Sequence, residues 1–479
     1  MVQNIVATVS ERSNQCNPAS EDRRIKLSLG PSIAIATFAA VILAIASNRL
    51  HLTVAAFLGV VALLLTGVLS AEEVSETINP GEATIALFFG GMVMARVLTP
   101  TGLFEYLAGI ALGLVRNDGR RLMIAVVIIA APICAILPNA AVVILVAPLI
   151  ISMCRQMELD FVQPVILLVF VANSAGLLTL VGDPATFIVG SAIHLSFADY
   201  LGLLSPGGVL AILAVVAVLP LIFRSVWRAR MAGDMAFAPA RIDRPWVMLA
   251  YLAVLAVMII LFVFGETLPN PIAPPAVALV GAALVLLIAY WTGLDRVRDI
   301  LRDVDWETLL FFVCIFVLVG ALEKTGVIGA LGKAMGKSFG SNVVLASLLL
   351  LGGIGILSSI IPNIPLVVAM VPLVKEYAVG AGLTTPAAIE AGYRQMPGTV
   401  LPLFSAMCLG ATLGGNATLL GASSNIVAGG ICAQNGRPLT FMTFLRYRRS
   451  RSPPCSCSSQ QDTCGLGSSD ARKRAPHAR

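Results

Sequence analysis

The dipeptide Pro138-Asn139 interrupts a long apolar stretch of the sequence, and Pro362-Asn363 interrupts a second one 224 residues further along. Proline cannot continue a helix, and asparagine places a polar amide among apolar neighbours. Irregular, polar positions that recur at a fixed offset in apolar sequence are typical of membrane transporters built from two repeats around one site. The pattern predicts that scaffold and leaves the solute open.

The composition indicates a membrane protein. The chain has 479 residues, of which 58% are hydrophobic and 12% charged, whereas soluble proteins carry about 25% charged residues. Several apolar runs are long enough to cross a hydrocarbon core of about 30 Å. We therefore expect an all-α, multi-pass integral protein of the plasma (inner) membrane.

Two apolar stretches are too long for single spans. Residues 122–153 and 343–374 each hold 32 residues, and a straight helix needs about 20 to cross the bilayer. Each is predicted to form a re-entrant hairpin with its tip at the Pro-Asn pair. With the remaining runs, the sequence predicts about ten transmembrane helices plus two re-entrant hairpins, arranged as two inverted repeats with broken helices.

The order of apolar and polar sequence divides the chain into five parts. The last part is rich in Ser, Arg, Pro and Cys, where a second repeat would place a final span near Phe444. This composition predicts a truncated or frame-shifted end. The parts are a polar N-terminal tail, a first transmembrane repeat, a basic cytoplasmic linker, a second transmembrane repeat and a polar tail, at residues 1–27, 28–223, 224–245, 246–445 and 446–479.

The basic residues predict the orientation. The linker carries five arginines, whereas the loops expected at 71–83, 191–199 and 265–275 contain no Lys or Arg. The first of these loops is acidic, with four glutamates. The positive-inside rule then places the linker in the cytoplasm, although three lysines (Lys324, Lys333 and Lys337) fall on the opposite side.

The helices after the hairpins also repeat. Residues 179–182 (TLVG) match 418–421 (TLLG) at an offset of 239. The 15 additional residues are expected in the loop at 376–394, since a structural repeat tolerates insertions in loops.

Broken helices supply the predicted site. The start of a half-helix attracts anions and its end attracts cations, because the helix dipole leaves about half a charge at each terminus. Such a site suits a small ion or a polyoxygenated solute. For each residue, a helix cap is the structural alternative. The candidate binding residues are Asn139, Asn173, Thr179, Gly182, Asp183, Asn363, Asn416, Thr418, Gly421, Ser423, Ser424 and Asn425.

Asp183 is the ionisable candidate. A carboxylate at bilayer depth costs at least ~2.5 kcal/mol and is a functional hypothesis by default. It is expected either to couple transport to a cation or to cap the half-helix beginning at Pro184. The second repeat has Ala422 at this place, so a coupling role would be asymmetric.

Other functions find little support in the sequence. The nine cysteines and three histidines show no metal-binding spacing, so no metal site or cofactor is expected apart from a coupling ion such as H⁺ or Na⁺. No catalytic constellation or nucleotide-binding domain is recognisable, which argues against an enzyme. The net charge of +6 arises in segments between spans, and no nucleic-acid partner is expected.

Three motifs resemble the ion transporter superfamily, in particular the ArsB/NhaD-type permeases, which are related to citrate-transporter-like domains, the P protein and divalent anion:sodium symporters. The resemblance implies a secondary transporter that forms a homodimer and binds its substrate between hairpin tips and broken helices. The motifs lie at 305–312 (DWETLLFF), 362–365 (PNIP) and 414–425 (GGNATLLGASSN).

The leading hypothesis is a secondary-active anion permease of arsenite- or citrate-like type, driven by an ion gradient or the membrane potential. A sodium–proton antiporter and a passive anion channel on the same scaffold are the alternatives. The expected partners are a small ion or organic anion, the lipid bilayer, a second copy of the chain and, for an arsenite-type permease, a separate ATPase.

Overall fold

The computed structural model describes residues 18–439 except 48–49, 104–105, 108–109, 111–117, 230–241, 243, 390–396 and 420. Within these residues the regular structure is helical, without a strand. Eight described helices are long and apolar enough to cross a bilayer, or nine if one bent pair counts as one span. Three further apolar helices are shorter. The chain is therefore an all-α, multi-pass membrane protein, as predicted.

The helices of the N-terminal half begin before the predicted repeat, since α1 starts at Pro18 rather than near residue 28. The helices are α1 (Pro18–Ala46), α2 (Leu52–Leu65), α3 (Ala71–Leu98), α4 (Gly119–Cys134), α5 (Asn139–Gln156), α6 (Val162–Gly176), α7 (Pro184–Ala192), α8 (Phe197–Leu203), α9 (Ser205–Ile222) and α10 (Arg224–Trp227).

The helices of the C-terminal half follow the partly described linker. They are α11 (Pro245–Phe264), α12 (Pro274–Thr292), α13 (Val297–Arg302), α14 (Trp306–Lys324), α15 (Val327–Phe339), α16 (Val343–Ser358), α17 (Asn363–Gly380), α18 (Leu401–Gly414) and α19 (Ser423–Gln434). The predicted C-terminal tail, 446–479, lies outside the described residues.

Large apolar side chains cover the outer faces of several helices. Leu221 on α9, Leu249 on α11 and Ile356 on α16 are each more than 60% exposed, at 76%, 66% and 70%. In water such surfaces would favour aggregation, whereas in a bilayer they contact hydrocarbon. The exposed apolar surface agrees with a membrane location.

Both predicted hairpin breaks are confirmed. Pro138 and Pro362 are the residues before α5 and α17, and both have extended backbone with ψ angles of 134° and 143°. The ring of each proline prevents the preceding helix from continuing. By length and composition α5 and α17 could each cross the membrane, so the re-entrant character of the hairpins stays a prediction.

The two halves repeat the same hydrogen bonds at these breaks. Thr179 Oγ1 donates to the carbonyl of Ala135, and Thr418 Oγ1 donates to the carbonyl of Ser359. The donors lie 239 residues apart and the acceptors 224, which are the offsets of the sequence repeat. Local structure is therefore repeated, while the inversion of one half relative to the other stays a prediction.

The difference between the two offsets lies in one connection. Residues 157–161 join α5 to α6, whereas residues 381–400 join α17 to α18. The second connection is thus fifteen residues longer, since the two hold five and twenty residues. The insertion falls between the helices where the sequence places it.

The prediction of an acidic loop at 71–83 is wrong, because α3 begins at Ala71. Ser70 Oγ accepts the Glu73 N–H at 3.3 Å, and Glu73 Oε2 accepts the Ser70 N–H at 2.7 Å. This capping box starts the helix. Lys324 Nζ lies 2.5 Å from Glu73 Oε1. Hydrogen bonds from Lys324 and from the Ser70 N–H lower the pKa of Glu73 to about 2.

Helices from both halves surround the centre of the protein. α17 packs against α7, and α19 packs against α5 and α6. Each hairpin helix therefore contacts the broken segment of the other half. α3 contacts α7 and α14 contacts α17, so these two helices close one side. The arrangement brings the four breaks together.

Candidate functional site

A small buried cavity lies where the four helix breaks meet. The space open to the centre of a water-sized sphere is about 40 Å³, which is room for a few water molecules. Six of the twelve predicted residues line it: Asn139, Asn173, Asp183, Asn363, Ser423 and Ser424.

Four helix N-termini face this cavity. They belong to α5, α7, α17 and α19, whose first residues are Asn139, Pro184, Asn363 and Ser423. The first N–H groups of a helix have no intrahelical partner, and each N-terminus carries about half a positive charge. The arrangement therefore favours an anion, although no Lys or Arg is among the described lining residues.

Asp183 caps one of these helices. Its Oδ1 accepts the Ala185 N–H at 2.8 Å, and its Oδ2 accepts Asn139 Nδ2 at 2.9 Å. The side chain is 3% exposed, and Asn363 also approaches the carboxylate. Asp183 is thus an N-cap that lines the cavity, and its role in coupling stays a prediction. The residues that precede α5, α17 and α19 make no side-chain cap.

Asn139 leaves one polar atom unpaired. Its Nδ2 binds Asp183, while its Oδ1 is buried without a hydrogen-bond partner among the described residues. A buried amide oxygen without a donor is costly. Because this atom has almost no accessible surface, the hairpin tip would have to shift before a donor or a cation could reach it.

Asn173 joins the two halves at the wall of the cavity. Its Nδ2 donates to Asn416 Oδ1 at 2.8 Å and to Asn425 Oδ1 at 3.1 Å, and its Oδ1 accepts Ser424 Oγ at 2.6 Å. Asn425 Nδ2 donates to the carbonyls of Gly415 and Thr418. The structure thus assembles these predicted residues into one polar cluster, with Asn416 and Asn425 outside the cavity lining.

The remaining four predicted residues do not line the cavity. Thr179 and Thr418 hold the breaks through their hydroxyl groups. A Cβ at Gly182 would lie 2.8 Å from the Gly176 carbonyl oxygen, and a Cβ at Gly421 would lie 2.6 Å from that of Gly415. These residues support the site by allowing close backbone contact.

Sequence reasoning missed one wall of the cavity. Phe88 and Met92 on α3, and Asp305, Thr308 and Phe312 at the start of α14, also line it. Asp305 caps α14, since its Oδ1 accepts the Thr308 N–H at 3.0 Å. That cap is readable in the sequence, but its position beside the hairpin tip is not.

A larger cavity of about 700 Å³ adjoins the small one. The two share Met92, Pro138, Ala140 and Asp305 as wall residues. The larger cavity lies between α3 and α5 and extends to the loop before α14. We call this larger cavity the vestibule; it adjoins the buried cavity on the side of the protein predicted to be cytoplasmic.

Arg96 lies in the wall of the vestibule, and its guanidinium forms two ion pairs. Nη1 lies 2.8 Å from Asp295 Oδ2, and Nε lies 2.7 Å from Asp303 Oδ2. These pairs fasten α3 to the connection between α12 and α14. Arg96 is therefore a structural contact in this conformation rather than a free anion-binding group.

The described part of the chain shows no metal-binding cluster. There, no group of three His, Cys, Asp or Glu side chains is placed to hold a metal ion.

These features define a helical membrane protein with a polar site buried between broken helices. Residues 41–389 match the model of the citrate transporter family, so the chain belongs to that family of membrane transporters. The match confirms the resemblance to ion transporter superfamily permeases. The plasma membrane is the usual location of such multi-pass proteins.

Two of three similar proteins are named as transporters. The chain is 51% identical over 415 residues to an uncharacterized transporter of Synechocystis, covering 86% of this chain and 92% of the relative. It is 36% identical over 421 residues to an uncharacterized transporter of Mycobacterium tuberculosis, covering 86% and 93%. It is 27% identical over 498 residues to the human P protein, covering 87% and 57%. The names indicate a transporter rather than an enzyme.

Proposed function

We propose that the chain is a secondary-active transporter of a small anion, of citrate- or arsenite-like type, that works by alternating access. One observation carries the proposal: four helix N-termini meet at a single buried cavity. Helix N-termini bind anions through N–H groups and dipoles. They do so without the cost of burying Lys or Arg at bilayer depth.

The vestibule supports alternating access. It reaches the cavity from one side, between α3 and α5. The buried space of about 40 Å³ is too small for a polycarboxylate, so the cavity must widen on binding. Movement of α5 with its hairpin away from α3 would provide that room, and closing it would isolate the substrate from the vestibule.

Asp183 supports coupling to a cation. An anion bound beside an ionised carboxylate is repelled, and a proton or Na⁺ at Asp183 would relieve the repulsion. Uptake of the anion together with such a cation would draw energy from the ion gradient. The membrane potential would contribute wherever the complex moves net charge.

A sodium–proton antiporter is the second candidate. It is favoured by the Asp183 carboxylate beside Asn139 Oδ1, an atom without a hydrogen-bond partner among the residues the structure describes, since Na⁺ prefers oxygen ligands. Antiport predicts sodium flux that drives proton flux with no anion present.

The proposal includes two partners that the resemblance implies. The chain is expected to form a homodimer, and an arsenite-type permease would add a separate ATPase. The mass of the purified protein in lipid nanodiscs distinguishes a monomer from a dimer.

Flux into proteoliposomes tests the function. Labelled citrate, arsenite, sulfate and sodium are presented to the intact chain under an imposed pH gradient. Accumulation of one anion above equilibrium, lost when the gradient is dissipated, is the expected result. Sodium flux without any anion requirement would favour the antiporter, and purely downhill anion flux would favour a passive channel.

Two site variants and one control variant test whether the substrate passes through this cavity. Asn139→Ala and Asn363→Ala are expected to reduce uptake at least tenfold, because each removes an amide from the cavity. Asn342→Ala is the matched control, since Asn342 is an exposed cap at the start of α16. Equal uptake by all three variants would place the site elsewhere.

A further inference from the structure

One corner of the protein, far along the chain from the helix breaks, joins the start of α11 to the end of α12. Arg244 is the residue before α11, and its Nη1 donates to the carbonyl of Thr292, the last residue of α12, at 2.9 Å. The guanidinium therefore lies beside carbonyl groups that the end of a helix leaves without intrahelical partners. This bond uses one of the five N–H donors of the arginine.

Three large aromatic side chains flank this contact along the chain. Trp246 follows Arg244 by two residues and is 60% exposed, while Tyr290 and Trp291 directly precede Thr292 and are 73% and 75% exposed. Trp and Tyr concentrate where membrane meets water, because their rings suit the acyl chains and their polar atoms suit the headgroups. The corner therefore lies at headgroup level, on the side of the membrane predicted to be cytoplasmic.

The short helix α13 brings further arginines to this side. The chain turns after α12 at Gly293, which has a φ of 60°, and α13 contacts α12. Arg298 and Arg302 lie four residues apart and so share one face of α13. We call four exposed arginines the basic rim, and none of them forms an ion pair with a described residue: Arg244, Arg296, Arg298 and Arg302.

The carboxylates of the same segment do not neutralise the basic rim. Residues 293–304 contain three aspartates. Asp295 and Asp303 both bind Arg96 in the wall of the vestibule. Asp299 is the third, and it is half-buried in the first turn of α13. Four arginines against this one remaining carboxylate leave the rim positively charged.

Another corner shows how the chain can satisfy an arginine by itself. Arg120, at the start of α4, lies over the ring of the half-buried Trp227 at 5.8 Å from its centroid. Within the described part of the chain, no arginine of the basic rim stacks on a ring in this way. The rim thus presents both guanidinium donors and aromatic surface to a group from outside the chain.

We propose that the basic rim binds the phosphate of an anionic phospholipid in the adjoining leaflet. Guanidinium groups bind phosphate oxygens in pairs, and basic clusters at the cytoplasmic ends of membrane helices attract anionic lipids. A lipid fits better than a soluble phosphate, because the exposed rings at the same corner need an apolar partner. Such a lipid site is independent of the solute that is carried.

A bound lipid would also have a structural effect. The segment that it contacts, residues 293–304, carries both carboxylates that hold Arg96. Fixing this segment at the membrane surface would stabilise one wall of the vestibule.

Quenching of tryptophan fluorescence by brominated lipids tests the proposal on the intact chain. The protein is reconstituted into vesicles that mix phosphatidylcholine with phosphatidylglycerol, with one of the two lipids brominated on its acyl chains. Two of the four tryptophans lie at this corner. Brominated phosphatidylglycerol is expected to quench at a roughly tenfold lower mole fraction than brominated phosphatidylcholine, and about 0.5 M salt should reduce this preference. Equal quenching by the two lipids would overturn the proposal without any variant.

Two single variants locate the binding. Arg298→Gln is expected to lower the preference for phosphatidylglycerol about fivefold, since one arginine beside anionic headgroups contributes a factor of about five. Arg121→Gln is the matched control, because Arg121 is an exposed arginine at the start of α4. It should keep the wild-type preference. Equal losses in the two variants would indicate general surface charge and overturn the proposal.

Two further measurements exclude other occupants of the basic rim. Glycerol 3-phosphate in solution should leave the quenching by brominated phosphatidylglycerol unchanged, and displacement of the lipid would assign the rim to a soluble phosphate ester. The mass of Arg298→Gln in nanodiscs should equal that of the wild type. A change in that mass would assign the rim to a contact between copies of the chain, and either result would overturn the lipid site.

Discussion

The broken segment of the N-terminal half and that of the C-terminal half agree in their backbone and differ in the side chains around it. Thr179 and Thr418 make the same bond to their hairpins. By contrast, Asn173 binds three side chains of the other half. The equivalent Thr412 has a buried hydroxyl that finds no hydrogen-bond partner among the described residues.

The comparison separates what the fold requires from what the site requires. Backbone contacts must be kept in both halves, because each break needs its own hydrogen bonds at bilayer depth. Side chains that point to the shared centre are free to differ. Mutations at the breaks should therefore have equal effects in the two halves, and mutations at the centre should have unequal ones.

The largest effects are expected for Gly182→Ala and Gly421→Ala. Each added methyl group would lie under 3.0 Å from backbone oxygen atoms of the preceding turn, so the backbone must move. We expect a loss of about 3 kcal/mol or more in the free energy of unfolding for each variant. Unfolding in detergent, followed by intrinsic fluorescence, measures both.

Gly430→Ala is the control for these variants. Gly430 lies within α19, and a Cβ there would meet no atom of the described residues within 4 Å. Alanine is the better helix former, so stability should be unchanged or slightly higher. A large effect at Gly182 with a small one at Gly421 would show that the two breaks are not equivalent.

An intermediate and unequal effect is expected for Asn173→Ala and Thr412→Val. The first removes three hydrogen bonds and leaves the half-buried Asn416 Oδ1 without its Asn173 donor, at a cost of about 2 kcal/mol. The second removes a hydroxyl that makes no hydrogen bond within the described part of the chain, and the change should stay within about 0.5 kcal/mol. Denaturant unfolding of the two variants side by side measures the difference, and equal costs would contradict the assigned asymmetry.

The smallest effect is expected outside the repeats' centre, at the ion pair of Glu73 with Lys324. The pair is more than one-third exposed, so Glu73→Gln should cost at most about 1 kcal/mol at neutral pH. The pKa of Glu73 is lowered from 4.5 to about 2 in the folded protein. The stabilisation is therefore complete above pH 4.5 and is lost as the pH falls toward 2.

Unfolding temperatures at pH 7 and pH 3 check this prediction. The gap between wild type and Glu73→Gln should narrow at the lower pH, and added salt should narrow it at pH 7. Glu72→Gln, at the neighbouring exposed position of the same helical turn, serves as the control. A gap that widens at low pH would refute the assignment of the pair.

The positions of the breaks could be predicted because their causes are local. Pro138 and Pro362 cannot continue a helix, so the sequence shows where α5 and α17 begin. The start of α3 could also have been predicted, because Ser70 and Glu73 form a capping box. The glutamates that follow favoured a loop instead, because charged residues are common in loops. The capping-box motif was present in the sequence, but the charge of the segment was given more weight.

The contacts between distant elements could not be predicted. Asn173 meets Asn416 across 243 residues, and Thr308 reaches the cavity from the start of a span that looks ordinary. Nothing in their local sequence records a partner, because helix packing decides which polar groups meet. The residue types of the site were recognisable, and their division into cavity lining and supporting contacts was not.

The difference between Asp183 and Ala422 also has an evolutionary consequence. A half-length ancestor that assembled from two identical copies would have to carry the same residue at both caps. It would then place either two carboxylates or none at the shared cavity. Joining two such copies in one chain would remove that constraint, so that one half can carry an acidic cap where the other carries an alanine. A fusion of this kind would let the two sides of one site specialise.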